Sequence, residues 1–149
     1  MPQTSPQLGG TFDPSKEVGL SNSLLSSSSI KSSSTSAGLG YDTGAGGAVT
    51  QATSKSTGVT LNRICGAITT NNAALSNGAE VGFTVTNSAV AARDVVVANI
   101  ASGATADSYT LTVDAVAAGS FRLSLSNVSS GSLSEAIVIS FAVIKAVNA

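Results

Sequence analysis

The chain has 149 residues, enough for one domain of ordinary size and a tail but not for two catalytic domains. Charged residues make up only 10% of it and aromatic residues 4%, against roughly 25% charged residues in an average soluble protein, so small polar and apolar residues must build both surface and core. There is no His, no Trp and a single Cys, which removes nucleophile–histidine pairs and histidine-containing zinc sites, and a net charge of −1 offers no electrostatic footprint for nucleic acid. The expectation is a protein without catalytic residues, metal or cofactor, with neither nucleic acid nor membrane as partner.

The first residues, Met1-Pro2-Gln3-Thr4-Ser5-Pro6, have neither the basic start nor the apolar run of a signal peptide, so secretion by that route is not expected. Residues 1–40 read as an extended arm. Its serine runs, Ser26-Ser27-Ser28-Ser29 and Ser32-Ser33-Ser34, carry too little apolar side chain to offset the roughly 1–2 kcal/mol lost for each ordered backbone unit. Phe12, Val18, Leu20, Leu24, Leu25 and Ile30 are spaced with neither helical nor strand period, as in a peptide laid along another protein. Phe12, Leu20, Leu24, Leu25 and Ile30 are therefore the candidate anchor residues, with a flexible linker as the competing reading.

Residues 41–57 form a Gly- and Thr-rich transition, read as a hinge or tight crossover around Gly44-Ala45-Gly46-Gly47. A phosphate-binding loop would need Lys-Ser/Thr directly after its last Gly, where Ala48-Val49-Thr50 stands. Lys55 and Ser56 suggest a Ser–Lys dyad only by adjacency, with no supporting oxyanion motif.

From residue 58 onward, β-branched runs alternate with Asn, Gly, Ser and Asp clusters, the punctuation of an all-β domain spanning 58–149. Strands are expected at 58–62, 66–70, 80–86, 94–100, 109–115, 120–126 and 136–145, seven in all. Alternation turns Val81, Phe83 and Val85, then Tyr109, Leu111 and Val113, then Phe121, Leu123 and Leu125 toward a core. Residues 71–78 read as a loop or a single helical turn. The apolar runs are strand-length, far short of the ~20 residues of a membrane-spanning helix. The last strand is apolar on both faces: Ile137, Ile139, Phe141 and Val143 on one, Val138, Ala142 and Ile144 on the other. That pattern asks for cover on both sides, and Ile139, Phe141, Val143 and Ile144 are the candidate self-association residues, with burial in the chain's own core as the competing reading. The expected architecture is an antiparallel, jelly-roll-like β-sandwich behind a serine-rich arm.

The acidic residues Asp42, Glu80, Asp94, Asp107, Asp114 and Glu135 show no calcium-loop spacing and are expected on the solvated surface, and Arg93-Asp94 reads as a turn pair. Cys65 cannot pair within the chain and reads as a small buried apolar side chain.

The run Gly40-Tyr41-Asp42-Thr43-Gly44-Ala45-Gly46-Gly47-Ala48-Val49-Thr50-Gln51-Ala52-Thr53-Ser54-Lys55-Ser56-Thr57-Gly58-Val59-Thr60-Leu61-Asn62, continued by Gly66-Ala67-Ile68-Thr69 and Asn71-Asn72-Ala73-Ala74-Leu75, resembles a module of tailed-bacteriophage virion proteins, of the head decoration, cement or head-fibre type. The likeness continues through Val95-Val96-Val97, Asp114-Ala115-Val116-Ala117-Ala118-Gly119 and Leu133-Ser134-Glu135-Ala136 to Phe141-Ala142-Val143-Ile144-Lys145, and does not include the arm. It implies a β-structured, homotrimeric knob on the capsid surface of the virion, made in the host cytoplasm and bound to the major capsid protein. A tail-fibre or receptor-binding module is the alternative.

Overall fold

A computed structural model describes residues 39–146; the anchor candidates Phe12, Leu20, Leu24, Leu25 and Ile30 lie outside the described residues. A compact unit begins at Gly40 and takes in the whole of the 41–57 transition. Its strands are β1 (Ala48–Thr50), β2 (Val59–Thr60), β3 (Cys65–Thr69), β4 (Glu80–Thr86), β5 (Val95–Ser102), β6 (Tyr109–Ala117), β7 (Ser120–Asn127) and β8 (Val138–Ile144). The described residues form no helix, and 71–78 is a loop tied down by one bridge between Leu75 and Leu133.

The strands make two four-stranded sheets, ordered β1-β3-β8-β5 and β2-β4-β7-β6. Each is mixed: β1 runs parallel to β3 and β2 parallel to β4, while the other pairs are antiparallel. The expected wholly antiparallel arrangement is corrected here, and the cause is the transition segment. Because 41–57 contributes β1 and leads directly into β2, both short strands lie along sheet edges in the direction of the strands that follow them. Gly66 permits the close approach of β1 to β3: a Cβ there would sit 2.6 Å from the Gly47 carbonyl oxygen, which accepts a hydrogen bond from the Ala67 amide at 2.9 Å.

The two sheets face each other across one core. One contributes Ile68, Val96, Ile139, Phe141 and Val143, with Ile137 just before β8; the other contributes Val59, Phe83, Val85, Phe121, Leu123 and Leu125. Phe121 and Phe141 meet across the layers with ring centroids 5.1 Å apart. The alternation expected for β4 and β7 is thus met at Phe83, Val85, Phe121, Leu123 and Leu125. Val81, Tyr109, Leu111 and Val113 are half-buried and pack against the same core. A break in register between Val113 and Ala115 turns Val116, not Ala115, inward.

The last strand owes its apolar character to its position. β8 is an inner strand of its sheet, between β3 and β5. Ile139, Phe141 and Val143, expected at a contact between copies, lie inside the chain's own core, where full burial of such a side chain contributes about 1.5–3 kcal/mol. Of the four named residues only Ile144 is exposed.

Candidate functional site

Buried polar side chains are the first place to look for chemistry, because each must be partnered or bear a desolvation cost. Gln51, Lys55, Asn87, Asp94 and Asn127 are all buried. In each the polar atoms hold loops together. Gln51 Nε2 donates to the Lys55 carbonyl at 3.0 Å and the Thr57 carbonyl at 2.7 Å, and its Oε1 accepts from the Asn71 amide at 3.0 Å. Asn87 and Asn127, at the ends of β4 and β7, repeat one device. The Oδ1 of each accepts from the amide two residues on (Ala89 at 2.9 Å, Ser129 at 3.0 Å), while Nδ2 donates to a distant carbonyl, Arg63 at 2.7 Å and Leu75 at 2.7 Å respectively.

Lys55 stands at one corner of the body. Its Nζ donates to the Asn71 carbonyl at 2.5 Å and to the Glu135 carbonyl, joining three loops. Burial lowers its pKa from the ordinary lysine value, opposed by the nearby Glu135 charge. Glu135 in turn accepts from the Thr105 hydroxyl and from the Thr105 amide at 3.1 Å, and these bonds hold its carboxyl below the usual range. The Tyr109 hydroxyl is buried beside it without a hydrogen bond of good geometry; desolvation and the Glu135 carboxylate push its pKa up to about 12. A recess of about 300 Å³ opens alongside, lined by Ile100, Ala104, Thr105 and Tyr109. The Lys55 ammonium, held by main-chain carbonyls, acts here as a strut between loops. Ser56 Oγ bonds Ser54 Oγ at 2.9 Å, so the structure does not join Lys55 and Ser56 as a dyad.

The acidic residues divide. Asp42, Glu80, Asp107 and Asp114 are exposed as expected, Glu135 is half-buried, and Asp94 is buried, which corrects its assignment to the solvated surface. Its partner is not the adjacent Arg93. Asp94 accepts from the Ala91 amide at 2.7 Å, from Lys145 Nζ and from the Ala146 amide at 3.2 Å, closing the start of β5 against the end of β8. The Ala91 amide bond is the largest cause of its lowered pKa, followed by the bond from Lys145. The bond from Ala91 is local, but nothing in the Arg93-Asp94 pair signals the partners Lys145 and Ala146, which lie 51 and 52 residues away.

Two outward sheet faces remain. On the β2-β4-β7-β6 sheet, the break in register lets Asp114 pair with Arg122, and Ser124 donates to Asp114 at 2.7 Å. The guanidinium lies over Gly82, where a Cβ would fall 1.9 Å from Arg122 Nη2. Both partners are partly exposed, so the pair contributes at most about 1 kcal/mol. The outer face of the other sheet is apolar at one end, where Val95, Val97 and Ile144 are exposed next to half-buried Cys65 and Ala142, and polar beyond it, where Asn99 pairs with Ser140. Cys65 is thus not fully buried.

Among the described residues no group of three His, Cys, Asp or Glu side chains is placed to hold a metal ion, and no helix is long and apolar enough to cross a membrane. Comparison with protein-family models, with curated proteins and with solved structures finds no match for this chain.

Proposed function

We propose that the chain is a non-enzymatic structural protein of a tailed-phage virion that decorates and reinforces the assembled head. The arm binds the major capsid protein through Phe12, Leu20, Leu24, Leu25 and Ile30, and the β-body sits on the capsid surface as a homotrimer. On this reading the body is a jelly-roll-like sandwich whose edge pairs β1/β3 and β2/β4 have become parallel.

The observation that carries this reading is the resemblance running from Gly40 to Lys145. The body's construction is compatible with it, since its buried polar groups brace loops against one another, as suits a module that resists deformation. A protein that binds only the assembled shell stabilises it by mass action, and linking arms in one oligomer raises their effective concentration, so that weak single contacts suffice.

The test uses purified heads of the phage whose genome encodes the chain, mixed with the full chain or with residues 41–149. The full chain should be retained and the shortened one lost, with the circular dichroism of its body unchanged. Equal retention of both removes the anchor role of the arm, and failure of the full chain to bind heads removes the proposed function.

A further inference from the structure

Strand order and register sort most charged residues of the body to its two ends. Arg63 precedes β3, Arg93 precedes β5 and Lys145 follows β8, and the pairing of Cys65 with Ala142 and of Val95 with Ile144 brings these three strand termini together. Asp42 and the buried Asp94 lie at the same end, where the chain also enters the body, since the Tyr41 hydroxyl donates to the Val143 carbonyl. The opposite end carries Glu80 at the start of β4, Asp107 between β5 and β6, and Glu135 ahead of β8. The cation there is Lys55, whose ammonium is buried on the main-chain carbonyls of Asn71 and Glu135. Among the described residues, that end therefore presents carboxylates and no exposed ammonium or guanidinium.

The recess of about 300 Å³ opens at this acidic end, where β5 turns into β6. Its wall includes Ile100, Ala101, Ala104, Ala106 and Tyr109, and Asp107 is the one charged residue that lines it. The volume is at the low end of the roughly 300–1,000 Å³ of small-molecule sites, room for one side chain and not for a length of chain. Its shape is set before anything enters. Thr105 is held by Glu135 through both hydroxyl and amide, the Ser108 hydroxyl donates to the Ala106 carbonyl at 3.2 Å, and the Val128 amide donates to the Ser108 carbonyl at 2.9 Å. Gly103, with φ +79°, lies so close to the neighbouring loop that a Cβ would fall 2.3 Å from the Ala136 carbonyl oxygen. Asp107 has a left-handed backbone, φ 58°, and is exposed, with no ion-pair partner among the described residues.

We propose that the recess receives a lysine side chain of a partner protein, its stem against Ile100, Ala101, Ala104 and Ala106 and its ammonium at the Asp107 carboxylate. Charge complementarity selects a cation, because the end of the body around the recess repels an acidic group and offers it no exposed basic one. The apolar part of the wall is needed as well: an exposed ion pair by itself contributes little in water, and a four-carbon stem supplies the buried area that the pair lacks. An arginine fits less well, since its five donors in a planar fork ask for several acceptors, whereas one carboxylate suits a compact ammonium. The fixed wall spares the cost of ordering a loop around the guest. The site goes beyond the proposed function and does not rest on it, since it lies at the end of the body away from Tyr41 and uses none of the arm residues.

The experiment titrates the isotope-labelled full chain with N-acetyl-lysine amide at low ionic strength and follows backbone amide shifts by NMR. The expected result is saturable shifts grouped at residues 100–109. Binding should be about three- to fivefold weaker for N-acetyl-norleucine amide, which has the stem without the ammonium, and for the Asp107→Asn variant with the lysine probe. Asn accepts a left-handed backbone, so the fold should stand, as circular dichroism checks; if it does not, Asp107→Gly, which takes that conformation without strain, replaces it. No saturable shift at 100–109 overturns the site, as does undiminished binding of the norleucine probe or by the Asp107 variant. Tighter binding of N-acetyl-arginine amide overturns the choice of lysine, and binding of spermidine more than about tenfold tighter than the lysine probe overturns a protein partner in favour of a free polyamine. No heads enter this experiment: a chain that binds the lysine probe but is not retained on heads loses the decoration role and keeps the site, and the converse result does the reverse.

Discussion

Lys55 shows what a buried charge does in this body. Its ammonium donates to two main-chain carbonyls that no other described donor serves, those of Asn71 and Glu135. Lys55→Met keeps the length of the side chain and orphans both carbonyls, so it should lower unfolding stability by about 1–3 kcal/mol in denaturant titration. Asp94 gives a pH signature. Its native-state pKa is depressed, so its contribution is complete above the ordinary carboxylate range and fades as pH falls through the native value. The denaturation midpoint should fall as pH drops from about 5 to about 2, and Asp94→Asn should flatten part of that slope; an unchanged slope would show that the carboxylate is not coupled to folding. At this scale the sequence is least legible. The Asn residues at the ends of strands are visible as turn formers, but the partners of Lys55 and Asp94 come from loops whose approach only the tertiary fold decides.

Strands were legible where alternation is strong. Phe83/Val85 and Phe121/Leu123/Leu125 declare their inward faces by period alone. One strand, β1, and the place of another, β8, escaped for physical reasons. β1 is three residues long and held by its pairing with β3, too short for any period to register. β8 is apolar on both faces because it is an inner strand, and period cannot tell that from a strand covered by another copy. Placing Ile139 in the core has a consequence: Ile139→Ala should cost about 2–5 kcal/mol in the isolated protein, whereas Val97→Lys, on the outer face, should change unfolding stability by no more than about 0.5 kcal/mol beyond any effect on association. Gly66→Ala drives a Cβ against the Gly47 carbonyl and should destabilise by about 1–3 kcal/mol, read as a lowered thermal midpoint.

At the scale of the whole molecule, the described residues form a braced β-body around one core, and residues 1–40, by composition, are expected to form no core of their own. The all-β class could be read from composition and strand punctuation; the mixing of parallel and antiparallel pairs could not, because it depends on which edges the short strands choose. The proposed decoration role draws on the resemblance across 40–145 and assigns the arm and the body separate tasks. Its most direct test is the position of the protein on intact virions, imaged with an electron-dense label at the C-terminus. The account predicts label over the faces of the head; label at the tail tip, or none on the particle, would contradict it.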